Sequence, residues 1–156
     1  MNIEEPWLDE PDEDRFYVDG QTYLCLAARV PEWGHWCGYV GVGRNHPAYG
    51  RPASELEDVV CHGGLTFSGH INDFTGWFFG FDCGHAFDYS PYRVRYMREI
   101  GAPSGMIESL EQLEANQRDG PLASVYRDLD FVRLNCIAII AQLKALADGE
   151  DVDDPQ

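Results

Sequence analysis

An α+β fold, in which a mostly antiparallel sheet of five or six strands is packed by one long C-terminal helix, follows from three features of the sequence. Strand-like segments fill the first half of the chain. The most apolar of them, Trp77-Phe-Phe-Gly-Phe81, carries no polar residue on either face, as a central strand covered on both sides requires. Near the C-terminus, Leu122, Val125, Leu129, Val132, Cys136, Ile139, Leu143 and Leu146 recur at spacings of three and four, the stripe of an amphipathic helix. With 156 residues, 44% of them hydrophobic, the chain is large enough to build one core without disulfides or metals.

Taken in order, the elements begin with an acidic segment, residues 1–14, in which Pro6 and Pro11 discourage helix and which is expected to be flexible. Arg15 to Val18 reads as a strand that turns at Asp19-Gly20, the best hairpin signal in the chain, with Thr22 to Val30 as its partner. Trp36 to Gly43 reads as a third strand whose glycines imply close approach by a neighbour. Arg44 to Pro52 is too rich in turn formers for regular structure. Val59-Val60 enter a further strand that Gly63-Gly64 bend toward Leu65-Thr-Phe67, and the central strand follows from Thr75 to Phe81. Tyr89 to Arg98, alternating apolar residues with arginine, is open between loop, strand and basic rim. Met106 to Asn116 has a short helical pattern; Pro121 then opens the long helix and Gly149 closes it. One domain, 15–147, thus lies between two acidic ends, 1–14 and 148–156.

The formal charge of −16 is concentrated in those ends. Seven acids and no base lie in residues 1–14, and five more acids lie between Asp148 and Asp154, whereas Arg15 to Ala147 holds fifteen acids against eleven bases. Direct nucleic-acid binding is disfavoured, because neutralising phosphates takes a clustered basic surface. Glu10, Asp12, Glu13, Asp14, Asp151 and Asp153 instead suit contact with another protein that has a basic surface, by imitation of a phosphate backbone. The first residues lack the basic start and apolar run of a secretory signal, and no stretch reaches the length a bilayer requires, so a cytoplasmic location is expected. Five scattered cysteines point to free thiols in a reducing compartment.

Chemistry is suggested where histidine stands beside cysteine. His35-x-Cys37, Cys61-His62 and Cys83-x-His85 occur in or next to predicted strands, where residues two apart share a face. His35, Cys37, Cys83 and His85 are zinc-ligand types, but their spacing matches no standard zinc module, so no cofactor is expected, with zinc as the alternative. Cys83 is equally a candidate nucleophile, with His62 or His85 as its base and Asp82 or Asp88 as the orienting carboxylate of a hydrolase acting on a small molecule. Gly63-Gly64 are candidates to present backbone N–H groups to an anion, and Arg93, Arg95 and Arg98 to hold a phosphate or carboxylate; Gly63, Gly64 and Arg93 together would make a trap for a nucleotide signal. No single motif completes a catalytic set, which favours binding over turnover.

Gly34-His-Trp-Cys-Gly-Tyr-Val-Gly-Val42, His62-Gly-Gly-Leu-Thr66, Gly80-Phe-Asp-Cys-Gly-His-Ala-Phe-Asp88 and Tyr126-Arg-Asp128 resemble the pattern of a family of small uncharacterised proteins encoded by bacteriophages, prophages and bacteria. The likeness covers about residues 33–145, with Phe87 where that pattern has glycine. It implies no catalytic role. What it implies is context: a phage-type accessory protein in a bacterial host cell that binds and inhibits a host machine, such as a CRISPR defence complex.

Overall fold

The computed structural model describes residues 5–119 and 124–153, without the side chains of 116–119 and 150–153. Five strands, β1 (Glu13–Val18), β2 (Tyr23–Arg29), β3 (Trp36–Val42), β4 (Phe67–Gly69) and β5 (Trp77–Asp82), form one antiparallel sheet in the order β1-β2-β3-β5-β4. Helices α1 (Arg93–Glu99), α2 (Ser104–Asp119) and α3 (Leu129–Asp153) follow. The architecture is α+β, with the long C-terminal helix on one face of the sheet.

Asp19 and Gly20 both take positive φ (61° and 67°) at the β1–β2 turn, the left-handed backbone that Asp-Gly tolerates at least cost. Alternation then assigns the faces. Tyr23, Cys25, Ala27, Trp36, Val40, Phe79 and Phe81 point to α3, where Leu129, Val132, Cys136, Ile139 and Leu143 meet them, all buried. β5 is covered from both sides: Phe79 packs in this core, while Phe78, also buried, lies on the other face against Gly41 and near Phe74. Replacing the fully buried Leu143 by alanine is expected to lower the unfolding free energy by about 2–5 kcal/mol. Denaturant titration reads this directly, and an unchanged midpoint would contradict the packing.

Four boundaries differ from the sequence reading. β1 starts at Glu13, inside the acidic segment, because Asp14 faces α3 and pairs with Arg133 at 2.8 Å. Val59-Val60 form no strand; the backbone of Val60 instead exchanges hydrogen bonds with the side-chain amide of Gln142 on α3 (2.7 and 2.8 Å), which replaces a ladder. Tyr89 to Arg98 resolves into a loop and α1, whose Arg95 stacks over Tyr92 at 3.8 Å. The long helix starts at Leu129, where Asp128 accepts the Phe131 N–H (2.8 Å) as an N-cap, and it continues past Gly149 to Asp153. Val125, which fits the helical stripe, is extended and bridges to Asp88; Pro121 and Leu122 lie outside the described residues.

Among the described residues no helix is long and apolar enough to cross a membrane. The N-terminal segment is tied to the body: Pro6–Asp9 form a 3₁₀ turn with Trp7 buried against Tyr89 and Tyr126.

Candidate functional site

β5 ends in Asp82, and the chain immediately beyond it, residues 83–90, loops across the sheet end to meet His62 from the 57–66 connection and Arg127 from the approach to α3. Asp88 is the centre. Its carboxylate, 1% exposed, accepts hydrogen bonds from His62 Nε2 (2.9 and 2.8 Å to the two oxygens), Arg127 Nε (3.0 Å) and the His85 backbone N–H (3.0 Å). Burial alone would raise the Asp88 pKa, but the bonds from His62, Arg127 and His85 overcome it and hold the carboxyl below its ordinary value. A carboxylate can only accept, so His62 carries its proton on Nε2 and leaves Nδ1 as an acceptor. The backbone N–H of His62 bonds Asn135 Oδ1 (2.8 Å), and its ring meets Phe131 edge-on at 5.0 Å.

Two more histidines complete the cluster. The His85 ring is 5.6 Å from that of His62, and its Nε2 lies 3.5 Å from Asp82 Oδ1, buried and without a hydrogen bond among the described residues. Gly63 lies against that ring so closely that a Cβ there would run into Nε2. His35 Nδ1 shares a hydrogen bond with Ser90 Oγ (3.2 Å), and a Cβ at Gly84 would stand 2.8 Å from its Nε2. Burial pushes the His35 pKa below its ordinary value, against the opposing pull of Asp82 and Asp88, which keeps the imidazole neutral at pH 7. Neutral imidazole beside a hydroxyl is a proton acceptor in place.

The cysteines belong elsewhere. Cys83, the nucleophile the sequence suggests, is 1% exposed within the hydrophobic core, and burial drives its thiol far above the usual range, the reverse of what an attacking thiolate needs. Cys37 is paired in register with Asp82, on the face of the sheet opposite Cys83, and burial raises its thiol to about 11. Such placement separates the supposed zinc ligands, and among the described residues no three His, Cys, Asp or Glu side chains converge as a metal site.

The remaining candidates are also accounted for. Gly63 and Gly64 take positive φ in a turn in which the Gly64 N–H bonds the Cys61 carbonyl (3.0 Å), so that donor is not free for an anion. Arg93, Arg95 and Arg98 pair with Glu114, Glu99 and Glu111. Phe87 needs no left-handed backbone and leaves its ring exposed. Of the acids proposed to meet a partner, Glu10 is turned inward and accepts from Arg29, Trp36 and Tyr126; Asp14 pairs with Arg133; Asp12 and Glu13 remain exposed, Asp12 beside Arg29. Asp151 and Asp153 have side chains outside the described set. Ser90, Arg127 and Asn135 are site residues that sequence reasoning missed, although Arg127 stands in the Tyr126-Arg-Asp128 stretch beside the helix cap.

The geometry fixes a pH dependence. Asp88 has a lower pKa folded than unfolded, so it contributes stability above its unfolded value, about 4, and loses it as pH falls further. His35, also depressed, contributes above about 6.5 and loses stability as pH falls below that. Thermal melts from pH 8 to 3 are expected to show Tm falling in both windows, with Asp88→Asn flattening the lower one only. An unaltered lower limb in that variant would refute the assignment.

Comparison with protein-family models, with curated proteins and with solved structures finds no match to this chain.

Proposed function

We propose that the chain is an enzyme that hydrolyses a small molecule by histidine acid–base chemistry at the Asp88 cluster. The observation that carries this is the arrangement of His62 on a fully bonded, buried Asp88, with neutral His35 on the hydroxyl of Ser90 and Arg127 beside them. A carboxylate that fixes the tautomer of one histidine, and a second histidine able to take a proton from an alcohol, are the parts from which nucleophilic hydrolysis is assembled. In this reading Ser90 is the nucleophile, His35 takes its proton and returns it to the leaving group, His62 accepts on Nδ1 the proton of the water that then releases the group from Ser90, and Arg127 is the counter-charge; Cys83 has no part.

The test is hydrolysis of p-nitrophenyl esters, phosphate monoesters and phosphate diesters by purified protein. Turnover of one class is expected, with His35→Ala, His62→Ala and Ser90→Ala each losing about 100-fold or more while keeping the native circular dichroism spectrum. Absence of turnover across the panel, or equal rates in the three variants, would overturn the reading.

A second reading has its own observation. Asp12 and Glu13 stay exposed at the start of β1, an edge strand, in a chain of net charge −16. They support the phage-type role, in which the protein occupies a basic surface of a host partner such as a CRISPR defence complex. Capture from host lysate that weakens with salt and with Asp12→Asn/Glu13→Gln, and survives His62→Ala, would favour it over hydrolysis.

A further inference from the structure

The face of the sheet that α3 leaves open carries two clefts that meet at His70. One, of about 900 Å³, is lined by Leu26, Tyr39, Phe67, Ile71 and Phe74 with Arg15 at its side; the other, of about 730 Å³, runs along Thr22, Gly41, Gly43 and Thr75 to Arg44. Both volumes lie in the range that small-molecule sites occupy. Aromatic groups concentrate in the first: Tyr39 and Phe67 meet edge-on at 5.5 Å, and Phe67 is 37% exposed. Gly80 leaves the room that Tyr39 fills, since a Cβ there would stand 2.6 Å from the ring.

Charge says what such a site would take. In a chain with 27 acids and 11 bases, cations should find carboxylates, and seven arginines and Lys144 do so: Arg29, Arg51, Arg93, Arg95, Arg98, Arg127 and Arg133 all stand in ion pairs. Arg15 and Arg44, both exposed, are in no ion pair among the described residues, and these are the two that border the clefts. Glu13, two residues from Arg15 on the same strand face, also lines the first cleft without pairing with it. His70, between the clefts, donates from Nδ1 to the Gly76 carbonyl (2.9 Å), so its Nε2 is an acceptor, and its ring is held against Trp77 at 5.1 Å.

We infer that the first cleft binds a nucleotide-sized aromatic anion, its ring on Tyr39, Phe67 and Phe74 and its phosphate at Arg15. Stacking on an aromatic wall and a guanidinium for the phosphate are the two contacts a mononucleotide needs, and His70 Nε2 offers a hydrogen bond to an exocyclic amino group. The cleft shares no lining residue with the Asp88 cluster and does not depend on its activity.

Isothermal titration of the full chain with AMP, GMP, CMP and UMP, and with adenosine as the uncharged control, tests it. At least one mononucleotide is expected to bind saturably at 1:1. Arg15→Ala should weaken it about 10-fold, the loss of one good charge-assisted contact, and Phe67→Ala should weaken it too, whereas Arg44→Ala, in the second cleft, leaves it unchanged. Because Arg15, Arg44 and Phe67 are exposed, these variants keep the fold, which melting checks. No binding by any mononucleotide, binding indifferent to Arg15→Ala, or adenosine binding as tightly as AMP would overturn the proposal.

Discussion

Arg29→Ala is expected to destabilise the protein by about 3–5 kcal/mol, the cost of breaking a buried ion pair from one side. The Arg29 side chain is 1% exposed, yet it carries its charge inside through contacts drawn from several parts of the chain. Nη1 donates to the Gly34 carbonyl (2.6 Å) and the Tyr126 hydroxyl (3.0 Å), Nη2 to Glu10 (3.2 Å) and the Trp7 carbonyl (3.4 Å), and the guanidinium lies 4.7 Å from the centre of the Trp36 ring. Removing it strands the Glu10 carboxylate, which is 15% exposed, beside Tyr126 and Trp36 with no cation to balance it. Glu10→Ala should cost a similar amount, but the double variant should cost much less than the two together, because no lone charge remains. Urea unfolding of the four proteins measures the coupling. Additive effects, or a loss under about 1 kcal/mol for Arg29→Ala, would show that the charges are not linked in this way.

Phe81→Ala is expected to cost about 3–5 kcal/mol by opening a cavity where β5, β3 and α3 meet. Phe81 is 1% exposed, and the only reason it fits is the missing side chain opposite: a Cβ on Gly38 would stand 2.6 Å from its ring and 2.9 Å from Val132. Gly38→Ala alone should therefore overpack the same spot and cost about 1–3 kcal/mol. In the Phe81→Ala background the added methyl enters the hole, so Gly38→Ala there should be neutral or stabilising. A methyl equally costly in both backgrounds would mean that the two residues do not share the space.

The sheet and its covering helix were legible because their signals are local and periodic. Trp77 to Phe81 announced a strand buried on both faces, Asp19-Gly20 a tight turn, and the Leu129 to Leu143 stripe a packed helix, each from residues a few positions apart. The helix start was misread because Val125 happens to fit the stripe, whereas its backbone is committed to pairing with the 87–89 segment, a contact no period reveals. The candidate site was legible in part. His62, His85, Asp82 and Asp88 do gather, but Cys83, adjacent in sequence, points into the core, since one step along a strand reverses the face. Ser90 and Arg127 gave no signal of their own, because their roles exist only once distant segments close on Asp88. The same is true of Glu10, whose composition suggests a solvated tail and whose partners make it interior.

That interior position of Glu10 also sets an order of events during synthesis. Its Oε2 accepts the backbone N–H of Leu129 at 2.6 Å, across 119 positions, and Asp14 reaches Arg133 over the same separation. At about 5–20 residues per second, the first strands leave the ribosome several seconds before the start of α3 exists to receive them. During that interval the β1–β2 hairpin can form, but Arg29 and Glu10 lack Tyr126 and the helix end, and the apolar face of the sheet has nothing over it. The segments around Glu10 and Leu129 are thus sewn together last. Completion of this core waits for α3, and a nascent chain stalled before Leu129 is expected to leave the apolar face of its sheet uncovered.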